Sequence, residues 1–292
     1  MDEPIAGKPQ ATPSFEISTL MTEVLHKENL KRALERVKRN KGAPGVDGMT
    51  VDELGSHLKA NWPTIRAQLV DGSYQPKPVK RVEIPKPDGR KRLLGIPTVT
   101  DRFIQQALAQ IVQRQWEPHF HSNSYGFQPG LNAHQAMRHA QATIRQGYGW
   151  VVDIDLEAFF DRVNHDRLMV RVRQHVDAPD VLQLINRFLK GGVQVDGQTL
   201  ASMQGVPQGG PLSPVLANVV LDELDWALGA RGHRFARYAD DCNIFVKSKR
   251  AGERIMQNVT RYLSGSLRLT VNAEKSAVDR PANRKFLGFT VS

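Results

Sequence analysis

Residues 235–246, FARYADDCNIFV, constrain this chain more than any other segment. Two apolar runs flank the polar group Tyr238-Ala239-Asp240-Asp241, a pattern that predicts two strands joined by a tight turn. Asp is common in turns for purely local reasons. Two adjacent carboxylates at a hairpin tip nevertheless repel one another unless a cation relieves them. A second acidic stretch lies upstream. Residues 149–156, GWVVDIDL, read as a strand, so Asp153 and Asp155 share one face while Val152, Ile154 and Leu156 share the other. Carboxylates at the end of a strand leaving a sheet are costly unless solvated, paired or bound to metal.

Charge narrows the class of partner. Forty Lys and Arg oppose thirty Asp and Glu in 292 residues, a net charge of +10. Such a surplus suits a phosphate-rich partner, because neutralised phosphates release condensed counterions. The charge is also concentrated: residues 77–92 and residues 27–41 each hold seven basic and two acidic side chains. The remaining composition, 40% apolar and 24% charged, is that of a globular chain forming one large or two closely packed units. No run approaches the length of a membrane span, and the N-terminus lacks a signal pattern. The single cysteine, Cys242, excludes an internal disulfide and a cysteine-rich zinc site, and reads as a small apolar filler. These features point to the cytoplasm and to no membrane partner. No pair of the nine histidines has zinc-ligand spacing with a third partner.

Periodicity supplies the other elements. Residues 22–40 form a helix with Leu30, Ala33, Leu34 and Val37 on one stripe. Residues 42–48 are a Gly- and Pro-rich loop, and residues 81–97 a hairpin turning at Pro-Asp-Gly. Helices are predicted at 101–117 and at 210–228, where Ser213 caps and Pro214 opens the first turn. Tyr125, Gly126 and Phe127 read as packing residues rather than as a base-stacking group. Strands interleaved with helices without strict alternation indicate an α+β fold.

Taken together, the blocks become recognisable. YADD, DIDLEAFFDRVNHD and GVPQGGPLSPVLAN resemble the three core motifs of reverse transcriptases, and the wording of the last is similar to that of group II intron enzymes. NKGAPGVDGMT, VEIPKPDGRKRLLGIPTVTDR, SYGFQPG, LTVNAEKS and KFLGF agree in order, so the resemblance covers roughly residues 20–292. Residues 1–20, rich in Pro, Ala and Gly over 1–14, read as a disordered N-terminus. The resemblance implies a right-hand polymerase with an N-terminal extension and fingers over 21–148 and a palm over 149–292. The palm would be an antiparallel sheet packed on helices, with residues of about 167–203 lent to the fingers. The family continues past KFLGF into a helical thumb, which is expected to be absent from a chain ending at Ser292.

The resemblance also implies roles. The activity would be nucleotidyl transfer from dNTPs to a DNA primer on an RNA template with two Mg²⁺ ions, which suit oxygen ligands. Asp155, Asp240 and Asp241 would be the catalytic, metal-holding acids, joined by the backbone of Ile154 or Leu156. Asp155 is preferred to Asp153 because the family's aromatic falls five places later, on Phe160. Phe160 would exclude a 2′-hydroxyl, while Phe159 serves the core. Lys86 and Arg92 would grip the triphosphate, Gln208 and Gly209 would line the nucleotide pocket, and Lys275 would protonate the leaving pyrophosphate. Intron RNA is a further implied partner, with a splicing-assisting maturase or a CRISPR-linked or other domesticated enzyme as alternative settings.

Overall fold

The computed structural model describes residues 17–85, 89 and 91–290. The expected disorder over 1–20 therefore falls mostly outside the described residues. From Ser18 onward the chain is ordered into α1 (Thr19–Val24) and α2 (Lys27–Asn40), not one helix over 22–40. Asn29 accounts for the break. Its buried amide donates to the Val24 carbonyl at 2.9 Å, an orphan acceptor at the end of α1, and to Ala107 at 3.0 Å. Ala33 and Val37 are buried, and Leu30 and Leu34 pack partly beneath them, as the stripe predicts.

Further along come α3 (Leu54–Val70), β1 (Val79–Pro85), β2 (Lys91–Ile96), α4 (Val99–Trp116) and α5 (Ala133–Arg145). Next are β3 (Trp150–Ile154), α6 (Phe159–Arg162), α7 (His165–Val172), α8 (Pro179–Lys190), β4 (Val193–Val195) and β5 (Gln198–Leu200). The chain closes with α9 (Ser213–Ala230), β6 (Arg234–Tyr238), β7 (Asp241–Val246), α10 (Lys249–Tyr262), β8 (Ala277–Asp279), β9 (Lys285–Phe286) and β10 (Phe289–Thr290). Among the described residues no helix is long and apolar enough to cross a membrane.

Two four-stranded sheets organise these elements. One runs β2-β1-β4-β5, with β1 antiparallel to β2 and parallel to β4. The other, β6-β7-β3-β8, is antiparallel throughout. Side-chain alternation gives this central sheet two different faces. Val152, Ile154, Phe235, Cys242 and Ile244 enter the main core, whereas Val151, Ala236 and Phe245 pack with Ala136 and Ala140 of α5. The helix α10 lies close on the sheet because Gly252 has no side chain; a Cβ there would meet Val278 at 2.4 Å. Ser213 does not cap α9 as predicted. It is the helix's first residue, and its hydroxyl donates instead to the Pro207 carbonyl at 2.6 Å, tying the Gly-rich loop to the helix.

Candidate active site

The β6–β7 hairpin pairs Tyr238 with Asp241, leaving Ala239 and Asp240 as a two-residue turn. Ala239 sits at φ 57°, a left-handed conformation that a non-glycine residue holds only when its surroundings impose it. Arg237, fully buried behind the turn, does so. Its Nη1 donates to the Ala239 carbonyl at 2.8 Å and to Asn218 Oδ1 at 3.0 Å. Its Nε donates to both Asp225 oxygens at 2.8 and 2.9 Å, and Nη2 donates to Ser124 Oγ at 2.7 Å. Gly126 closes the other side, so near the turn that a Cβ would lie 2.2 Å from the Ala239 nitrogen. Sequence pattern alone does not show the roles of Arg237, Asp225, Asn218 and Ser124. Arg237 adjoins YADD and could have been suspected, but its side-chain partners lie 12 to 113 positions away.

The acids come together by strand register. Ile154 pairs with Cys242, which brings Asp155 beyond the end of β3 toward Asp241 on β7. Asp153 belongs to the same face but is already committed: Arg284 Nε and Nη2 donate to it at 2.9 and 2.7 Å. Asp155 is less committed: among the described residues the cation beside its carboxylate is the Lys275 ammonium at 3.7 Å. Its backbone is fixed, the carbonyl accepting from Asn272 N–H at 2.9 Å and the amide donating to Ser276 Oγ at 3.0 Å. The first of these bonds, with Glu157 N–H donating to the Thr270 carbonyl at 2.8 Å, closes the bridge between Leu156 and Val271, while Ile154 ends the ladder with β7.

Crowding raises the carboxyls that share this space. Burial, then Asp155, pushes Asp240 above the usual carboxylate range. Asp241 is pushed up to about 6, by burial first and then by Asp240, Asp153 and Asp155, with Lys275 pulling the other way. Among the described residues no three acidic, His or Cys side chains form a self-sufficient metal cage. Magnesium does not need one: it is typically held by one or two carboxylates, with waters and substrate phosphates completing the shell. A cluster of under-neutralised carboxylates fits an oxygen-seeking divalent cation delivered with its substrate.

Beside the acids lies a cavity of about 560 Å³ lined by Asp240, Arg92, Phe160, Gln208 and Gly209. Arg92 Nε donates to Gln208 Oε1 at 2.8 Å, and Gly95 N–H donates to the Gln208 carbonyl at 2.9 Å, so β2 and the Gly-rich loop form one wall. Gly209 is required at φ 133°, where a Cβ would meet the Gly95 oxygen at 2.7 Å. Phe160 and Phe159 are both buried and meet edge-on at 5.1 Å, but only Phe160 lines the cavity. Ala158, left-handed at φ 48°, turns the chain into α6, and the Phe160 carbonyl accepts from Val206 N–H at 2.6 Å. Lys86 lies outside the described residues. Tyr125 packs as predicted, its hydroxyl 2.6 Å from His139 Nδ1, whereas Phe127 does not: it is 43% exposed.

This architecture defines a reverse-transcriptase-like polymerase fold. The telomerase of Candida tropicalis shares it with a TM-score of 0.58 over 78% of this chain and 47% of that one, at 13% identity. Residues 84–291 match the family described as reverse transcriptase (RNA-dependent DNA polymerase). Protein YkfC of Escherichia coli K12 is 33% identical over 95% of this chain and 84% of its own length. The group II intron-encoded protein LtrA of Lactococcus lactis subsp. cremoris is 37% identical over 66% of this chain, a match spanning 32% of LtrA. The chain belongs to the reverse transcriptase family, the RNA-directed DNA polymerases, whose domains work with divalent metal ions.

Proposed function

We propose that this chain is the catalytic core of a reverse transcriptase of group II intron type, extending a DNA primer on an RNA template with dNTPs and Mg²⁺. One observation carries the reading: on top of burial, Asp155 lies close enough to raise both Asp240 and Asp241, and Asp240 lines a cavity together with Arg92, Phe160 and Gln208. In this reading the central sheet with α9 and α10 is the palm, and the β2-β1-β4-β5 sheet belongs to the fingers.

Asp155 and Asp240 would hold two Mg²⁺ ions, with Asp241 in support and the Leu156 carbonyl as a further oxygen. Bound metal ions of this kind stabilise the charge on attacking and leaving oxygens in an in-line displacement. The chain's own groups supply the rest. Arg92, with its planar fork of donors, grips the triphosphate, and Lys86 from the same hairpin adds a point charge. Phe160 fills the space where a ribonucleotide would carry its 2′-hydroxyl. The Lys275 ammonium, 3.7 Å from Asp155, would give a proton to departing pyrophosphate. Likeness to an intron-encoded protein supports intron RNA as a partner, and binding of intron RNA that survives Asp240→Asn would mark a separate splicing role. Primer extension on an RNA template with dNTPs and Mg²⁺ tests the main reading; no extension at high enzyme concentration would sink it.

A further inference from the structure

Phe127 is a large apolar residue that the fold holds out of its core. It is 43% exposed and sits at φ 58°, a conformation costly to a residue that bears a side chain. The backbone on either side is fastened. Tyr125 N–H donates to the Arg237 carbonyl at 2.8 Å, Asn218 Nδ2 donates to the Gly126 carbonyl at 2.8 Å, and Gln128 Nε2 donates to the Ser124 carbonyl at 2.8 Å. Phe127 is thereby set at a fixed height beside the Asp240 turn, its ring 6.5 Å from that of Tyr238. Strain and exposure retained together by so many bonds call for a reason other than packing.

Its position supplies one. Phe127 lines the cavity that holds Asp240, Phe160 and Arg92, and also an adjoining groove of about 740 Å³. That groove runs along α2 past Arg32, Arg36 and Arg39, at i, i+4 and i+7 on one helix face; Arg114, Glu35 and Glu117 also line it, so its charge stays basic on balance. The three α2 arginines are exposed, and no ion pair among the described residues engages them. A cationic groove with an aromatic at its mouth is the chemistry of single-stranded nucleic-acid binding, in which the backbone follows the charge and bases stack on rings. In template-directed synthesis the unpaired strand next to the nucleotide site is the template ahead of the primer end.

We propose that Phe127 is a stacking platform for an unpaired template base where the strand passes from the nucleotide cavity into the α2 groove. The proposal rests on the polymerase reading above. It is tested by binding, without chemistry, using the full chain in EDTA. The probes are a blunt RNA–DNA hybrid, the same hybrid with a short unpaired 5′ RNA extension, and that extension made abasic. Wild-type protein should prefer the base-bearing extension. Phe127→Ala and Phe127→Leu should each lose about 5- to 150-fold of that preference, the range that follows from stacking strength, with blunt affinity unchanged. Phe127→Trp should retain it, and the abasic extension should bind wild type as weakly as the normal extension binds Phe127→Leu. Full preference in Phe127→Leu, equal affinity for the abasic probe, or equal losses on blunt hybrid would overturn the proposal. Failure of the polymerase reading would show separately, as wild-type protein that incorporates no dNMP.

Discussion

Asp241 sits in an environment unlike that of an isolated carboxylate. Its folded value of about 6 lies above the ordinary 3.8, so burial and its acidic neighbours favour the protonated form. Stability from such a group is fully present below the unfolded value and is lost as pH rises through about 6. In metal-free protein, Asp241→Asn should therefore melt higher than wild type at neutral pH, with the gap closing toward pH 4; melting curves across that window in EDTA would show it. Phe160 makes a different prediction. Phe160→Ala should admit ribonucleotides, raising the ratio of rNTP to dNTP incorporation, and unchanged sugar selectivity would remove its gating role. At this scale the sequence was informative about residue types and less so about partners. Motif register favoured Asp155 over Asp153, and the structure adds a physical reason, since Arg284 occupies Asp153 from 131 positions away. Periodicity cannot see such a pairing.

At the scale of elements, the hairpin bearing YADD depends on α9 and the SYGF segment behind it. Arg237 makes bonds to Asp225, Asn218, Ser124 and Ala239 with no exposed surface, so each partner removed leaves buried charge or polarity unmatched. Asp225→Asn should cost about 3–5 kcal/mol, the usual penalty for breaking a buried ion pair from one side. Urea denaturation would measure it, and a loss below about 1 kcal/mol, the scale of an exposed pair, would argue against the network. Strands and helices with strong patterning were legible: the hairpins, α4 and the stripe of α2. What escaped were effects of tertiary satisfaction. Asn29 satisfies the Val24 carbonyl at the end of α1 while also reaching Ala107, and Ser213 spends its hydroxyl on Pro207 instead of capping α9.

For the whole molecule, the order of the motif blocks carried more information than any one of them, because the order is what the fold assembles. Strands separated by about ninety positions, β3 and β7, become neighbours and bring their acids to one face. The net charge of +10 belongs to this scale too. Binding to RNA should weaken steeply with salt, and Arg36→Ala should lower the slope of log affinity against log salt by roughly 1, as loss of one phosphate contact does. Single-turnover addition of one dNMP to a DNA primer on an RNA template with Mg²⁺ is the decisive measurement for the polymerase assignment. Wild type should incorporate, Asp155→Asn and Asp240→Asn should fall by roughly 10²–10³ or more, the scale on which one preorganised electrostatic group acts, and Asp153→Asn should keep most of its rate. Incorporation by Asp240→Asn at the wild-type rate, or a collapse in Asp153→Asn with Asp155→Asn unaffected, would contradict it.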